Sequence, residues 1–124
     1  MTDDYQVVSR GEVWLMQWDD GGREDMAEVF RYPVLIISTD LQANNPHFPD
    51  VVVVPCDLVD ESLPIQLYVT ITPTEENRLP HLIQAEIHVF HTIPKSLLQQ
   101  RIGRLSKAEM DLIGSKIRMV LELD

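Results

Sequence analysis

The sequence predicts a mostly β domain, a small barrel with helical appendages. Three observations carry that reading. Short apolar or alternating segments, separated by Pro, Gly and Asn clusters, run from residue 11 to residue 91. The first of them is apolar on both faces. The character then changes, and the chain ends in an amphipathic stretch at helical spacing. With 124 residues, 44% of them hydrophobic, the chain has the size and composition of one globular domain.

The first strand is Gly11-Glu12-Val13-Trp14-Leu15-Met16-Gln17-Trp18. Alternation puts Trp14, Met16 and Trp18 on one face and Val13 and Leu15 on the other, so both faces are suited to burial in a closed barrel or at a subunit contact. Residues 19–25 form a loop by their Gly pair and clustered charge. Val34–Ile37 is a central strand bounded by Pro33 and by a Ser38-Thr39-Asp40 turn. Asn44–Asp50 is a second loop. Val51–Val54 is a buried strand halted by Pro55. Ile65, Leu67, Val69 and Ile71 alternate with polar or aromatic residues and predict a half-buried strand, followed by a polar loop over residues 73–80. Ile87–His91 is the fifth strand. Pro94–Gln100 is short and helical, with Pro at a first-turn position. Ser106-Lys107-Ala108-Glu109 is a capping box, and Leu112, Ile113, Ile117, Val120 and Leu121 follow at helical spacing.

Twenty acids against ten bases give a net charge of −10, and an acidic body of this size repels a phosphate backbone at long range. The charge is uneven. Residues 1–90 carry four arginines against 16 acids, whereas residues 91–124 carry six bases against four acids. A lone cysteine, Cys56, forms no intrachain disulfide and suits a buried structural thiol. The acidic start lacks the basic and apolar regions of a signal peptide, and no apolar run approaches a membrane span; both point to a cytoplasmic protein without a membrane partner. No Gly-rich phosphate loop, HExxH, CxxC or GxSxG pattern occurs. His88 and His91 fall on opposite faces of a strand, so a metal site with Glu86 and His81 has poor geometry, and neither metal nor cofactor is expected.

The segments also resemble a known family in collinear order. Arg10-Gly11-Glu12-Val13-Trp14-Leu15 resembles the opening of the MazF/PemK (Kid) toxins, and Tyr32-Pro33-Val34-Leu35-Ile36-Ile37-Ser38 resembles their "RPVLVIS" strand. Val51–Cys56 is similar to their third strand. His91-Thr92-Ile93-Pro94-Lys95-Ser96 and Arg101-Ile102-Gly103-Arg104-Leu105-Ser106 resemble the "RTIxKSRLxxRIGRLS" stretch. The resemblance implies one domain over residues 1–124, with an N-terminal extension at 1–9 and a C-terminal helix at 106–123. It implies an SH3-like barrel of the MazF/PemK/CcdB kind, a homodimer, and a growth-inhibiting toxin paired with a cognate antitoxin. It further implies cleavage of single-stranded RNA without metal, by attack of the ribose 2′-OH on the adjacent phosphate.

Three family positions differ here. Tyr32 replaces the Arg before Pro33, with Arg31 one position earlier, and Asp57 falls where the family has Thr. A one-residue shift on a strand reverses the face, so Arg31 takes over only if a bulge re-aims it. His91 stands where the family often has Arg, and imidazole exchanges a proton near neutrality. The candidate catalytic residues are therefore Arg31, Asp57 and His91, with Tyr32, Glu28 and Lys95 as substrate-binding residues. The alternative reading is a family member without catalysis, either a dimeric protein-binding module or a CcdB-like gyrase-directed inhibitor.

Overall fold

The structure is a computed structural model and describes residues 7–18, 30–57 and 62–123. In chain order come β1 (Glu12–Trp18), β2 (Phe30–Ile36), α1 (Asp40–Ala43), β3 (Asp50–Asp57), β4 (Tyr68–Ile71), β5 (Ile83–Glu86), β6 (His91–Pro94), β7 (Leu98–Arg104) and α2 (Lys107–Val120). The strands pair antiparallel in the order β4-β5-β3-β2-β1-β7, with β6 also on β3. The sheet curls into a half-barrel, and the β1–β7 ladder shifts register twice, between Val13 and Trp14 and between Leu15 and Met16.

Both faces of the curled sheet are covered, as the two-faced pattern of β1 requires. On one face Val13, Leu35, Val54 and Cys56 pack with Ala85 and with Ile113 of α2. On the other, Trp14, Val34, Ile36, Val53, Ile93 and Leu98 form a second cluster. Ser106 caps α2 by accepting from the Glu109 N–H, while Glu109 accepts from the Ser106 N–H, so the capping box forms as read. Ile113 is fully buried, and Met110, Ile117 and Val120 pack beside it. Leu112 and Leu121 are instead half exposed, so the apolar stripe is narrower than the sequence suggests.

Four segments depart from the sequence-based expectation. Of the Pro94–Gln100 stretch expected to be helical, residues 95–97 make one 3₁₀ turn and residues 98–100 open strand β7 (Leu98–Arg104). The open edge of β1 captures it, and Leu98 is fully buried there. Residues 87–90 turn instead of extending, with the Val89 N–H donating to the Glu86 carbonyl at 3.2 Å. Ile65–Leu67 is a 3₁₀ turn after Pro64, so the alternation becomes strand only from Tyr68. Finally, β3 runs through Pro55 to Asp57. The Val52 carbonyl accepts from the Ile37 and Ser38 N–H groups, so residues 52, 54 and 56 address β2 and residues 53, 55 and 57 address the opposite edge. On that edge β6 pairs as far as Val53 and β5 resumes at Cys56. Pro55 sits in the gap, where its missing N–H removes no ladder bond.

Candidate functional site

That gap shapes the site. The chain leaves β3's side at Glu86, turns through residues 87–90 and returns at His91, so the two strands flank Pro55. A cleft of about 480 Å³ opens there. Met16, Val34, Val53 and Pro55 line it from β1, β2 and β3, and Tyr32 joins them. Glu86, Val89, His91, Thr92 and Ile93 line it from the returning segment. Met16 stands opposite Tyr32, Trp14 opposite Val34 and His91 opposite Val53, so the ladder itself fixes which side chains share the cleft. The wall is apolar because it continues the second core cluster outward. Its polar groups all come from residues 86–92 and from Tyr32, which keeps 40% of its surface exposed.

Of the six residues singled out in the sequence, the cleft brings together Tyr32 and His91. Arg31 stands opposite Gln17, and Asp57 opposite Gln84, in their ladders; their side chains lie outside the described residues. The β1–β2 register runs unbroken from Val13↔Leu35 to Trp18↔Phe30. The bulge that would re-aim Arg31 is therefore absent from that ladder, and alternation leaves its position on the face opposite to that of Tyr32. Glu28 lies outside the described residues.

Lys95 stands apart from the cleft. It is 2% exposed, and its Nζ donates to the carbonyls of Gln42 and Asn45 at 3.0 Å each. Its backbone N–H donates to the Pro49 carbonyl at 2.7 Å. Burial holds its ammonium below the ordinary lysine pKa of 10.5. In this position it fastens the end of β6 to the segment after α1, and it reaches no ligand in the cleft.

Three placements had no clear sequence signal. Glu86 and Thr92 enter the cleft only because β3 changes partners. Glu12, 3% exposed, accepts from the Ser9 N–H, Trp14 Nε1 and Arg101, which joins β1 to β7. Asn77 is fully buried; its Oδ1 accepts from the Thr74 and Leu79 N–H groups, and its Nδ2 donates to the Thr72 carbonyl and to Glu109. Trp14 is core, 7% exposed. Among the histidines, His88 contacts the Leu67 carbonyl through Nδ1, and His47 and His81 are exposed. Among the described residues no group of three or more His, Cys, Asp or Glu is placed to hold a metal ion.

Comparisons with known proteins bear on what such a site serves. Residues 9–121 match the model of a family described as the PemK-like, MazF-like toxin of type II toxin–antitoxin systems. Among solved structures, an endoribonuclease in complex with its cognate antitoxin from a mycobacterial species superposes with a TM-score of 0.72 at 24% identity, covering 94% of this chain and 96% of that one. The Mycobacterium tuberculosis toxin MazF-mt6 gives 0.69 at 22% identity, with 91% and 98% covered. A MazE–MazF structure from Deinococcus radiodurans gives 0.71 at 12% identity, with 96% and 100% covered. A search of curated protein sequences returns no significant match.

Proposed function

The chain belongs to the PemK-like, MazF-like toxin family of type II toxin–antitoxin systems, and from that premise we propose that it is a metal-independent endoribonuclease acting on single-stranded RNA. One observation carries the assignment to a site. Within the toxin fold, Tyr32 and His91, far apart in sequence, line one cleft that can admit a ligand. The reaction joins the ribose 2′-oxygen to the neighbouring phosphorus and breaks the bond to the 5′-oxygen. It leaves a 2′,3′-cyclic phosphate and a 5′-hydroxyl. A base must take the 2′-hydroxyl proton and an acid must give one to the leaving oxygen. His91 is the proton carrier in this scheme, and the Tyr32 hydroxyl donates to the phosphate oxygens. Asp57 lies on a strand framing the cleft and is a second proton acceptor in the proposed set; Arg31, whose position is on the face of β2 opposite to that of Tyr32, is given no contact with the phosphorane. A cognate antitoxin blocks this cleft, and the toxin works as a cytoplasmic homodimer. Among the described residues no helix is long and apolar enough to cross a membrane.

The test is cleavage of a long unstructured RNA by the purified protein in EDTA at low salt, with the ends mapped. Cuts bearing 2′,3′-cyclic phosphate, reduced about 100-fold or more by His91→Ala, are the expected result. Cuts that survive His91→Ala overturn the site assignment.

A second reading is favoured by one feature: among the described residues no Lys or Arg lines the cleft. A family member without catalysis would then bind protein through this surface. Absence of cutting across many RNAs and pH values supports it, and double-strand DNA breaks on expression point to gyrase.

A further inference from the structure

We propose that α2 is a self-docking surface, on which the α2 of a second copy lies antiparallel across a two-fold axis at Ser115; this rests on the homodimer of the reading above and not on its chemistry. The exposed side of the helix has two edges. At 3.6 residues per turn, Lys107, Asp111 and Arg118 share one edge, and Ala108, Leu112 and Met119 share the other, with Ser115 between them. All of these residues are exposed. Leu112 keeps 47% of its surface open and Met119 66%. Leu123, 58% exposed, follows just past the helix end. Ile65, 65% exposed, lies beside α2, where Lys116 Nζ donates to its carbonyl at 3.1 Å. Clustered apolar exposure with a charged border marks an interface.

The order of charges chooses the occupant. From the middle of the helix, Asp111 and then Lys107 lie towards its start, and Arg118 and then Glu122 towards its end. Reversing the helix about its middle sets Asp111 against Arg118 and Lys107 against Glu122, opposite charges in both cases. The apolar edge reverses in the same way, with Leu112 against Met119. A two-fold axis makes every such pair twice, because residue i meets j wherever j meets i. A parallel pair would instead set the charged edge of one helix against the apolar edge of the other. Ser115, at the axis, is small and lets the helices approach closely. Within one chain Asp111 and Arg118 are about 10 Å apart along the helix, so they do not pair there. Asp111 holds Lys107 at 3.0 Å, and a carboxylate has the capacity to accept from a second cation as well. Glu122 closes the helix with φ 56°, a left-handed position that favours glycine. A glutamate there is accounted for by Lys107 of the second copy.

Cross-linking and charge exchange test this on the purified protein. Cys56 is buried, so a cysteine placed at residue 115 is the accessible one. Ser115→Cys should give a disulfide-linked dimer on mild oxidation. Lys107→Cys should not, because antiparallel helices hold its two copies about 24 Å apart. In sedimentation equilibrium, Asp111→Arg and Arg118→Asp should each weaken the dimer about tenfold or more, by placing like charges across the axis. The double exchange restores opposite charges and should recover the affinity to within about threefold. Since the two residues do not pair within one chain, that recovery comes from the second copy. A monomer at every concentration removes this surface together with the homodimer. A dimer indifferent to both reversals, one that the double exchange does not recover, or one in which Lys107→Cys cross-links as readily as Ser115→Cys removes the surface and leaves the homodimer standing. The mapped RNA cuts decide the nuclease reading independently.

Discussion

At the residue scale, a few buried polar groups and one glycine hold the fold together away from the cleft. A Cβ on Gly103 would lie 2.5 Å from the Asn77 carbonyl oxygen and 2.8 Å from Leu79 Cδ2. The first contact is with backbone and cannot yield cheaply, so Gly103→Ala should lower stability by about 2 kcal/mol or more, read as a drop in the urea midpoint at constant slope. Asn77→Ala leaves the Thr74 and Leu79 N–H groups and the Thr72 carbonyl without their partner, at about 1–3 kcal/mol for such a loss. Lys95 gives a pH-dependent case. Its native pKa is below 10.5, so between the two values the unfolded chain binds more protons than the native one. Stability contributed by this group therefore rises as pH climbs through that window. Lys95→Met should remove that rise and destabilise the protein at pH 7 by about 1–3 kcal/mol, because the Gln42 and Asn45 carbonyls lose their donor. Urea titrations of both proteins from pH 7 to 10.5 check both the offset and its slope.

At the element scale, the decisive feature is a strand that serves three neighbours. β3 pairs with β2 on one edge and with β6 and then β5 on the other. Its four consecutive valines announce a buried strand, but nothing local announces where its partners change. Pro55 reads as a stop because proline usually ends a ladder; here it marks the switch. The neighbouring misreading has a similar cause. Leu98–Arg104 has no strong strand propensity, and its extended form comes from the edge of β1 and the burial of Leu98. The capping box, by contrast, is wholly local, which is why Ser106 and Glu109 were legible. Ser106→Ala should cost about 1 kcal/mol. Because Glu109 also holds Asn77, Glu109→Ala should cost more than Ser106→Ala, and denaturation of the two variants compares them directly.

At the scale of the whole molecule, charge and fold pull in different directions. The fold is that of RNA-cleaving toxins in its structural neighbours, yet this chain carries a net charge of −10. A protein that held RNA by many phosphate contacts would lose affinity steeply with salt. The proposed cleft is apolar and no Lys or Arg lines it among the described residues, so the log–log slope of RNA affinity against salt should be shallow, about −2 or flatter, in fluorescence titrations between 50 and 200 mM salt. A slope near −6 would show that phosphate contacts dominate. The six bases after residue 90 are part of the same balance, but Lys95 is buried and Arg101 pairs with Glu12, so less of that local charge is available than the sequence suggests.

What the sequence determined by itself was whatever depends on neighbours along the chain. The two-faced pattern of β1 fixed a sheet buried on both sides. The Val34–Ile37 and Val51–Val54 runs fixed its centre, and Ser106 to Glu109 fixed the start of α2. The ordered motifs from Arg10 onward placed the chain in its family. The tertiary structure decided everything that depends on pairing between distant segments. It put Tyr32 and His91 in one cleft, added Glu86 and Thr92, and withdrew Lys95 into the interior. The physical reason is that periodicity assigns a residue to a face of its own strand, whereas a site is made where the faces of several strands meet. That meeting is set by register and by the change of partners along β3, and neither is written in any short stretch of sequence.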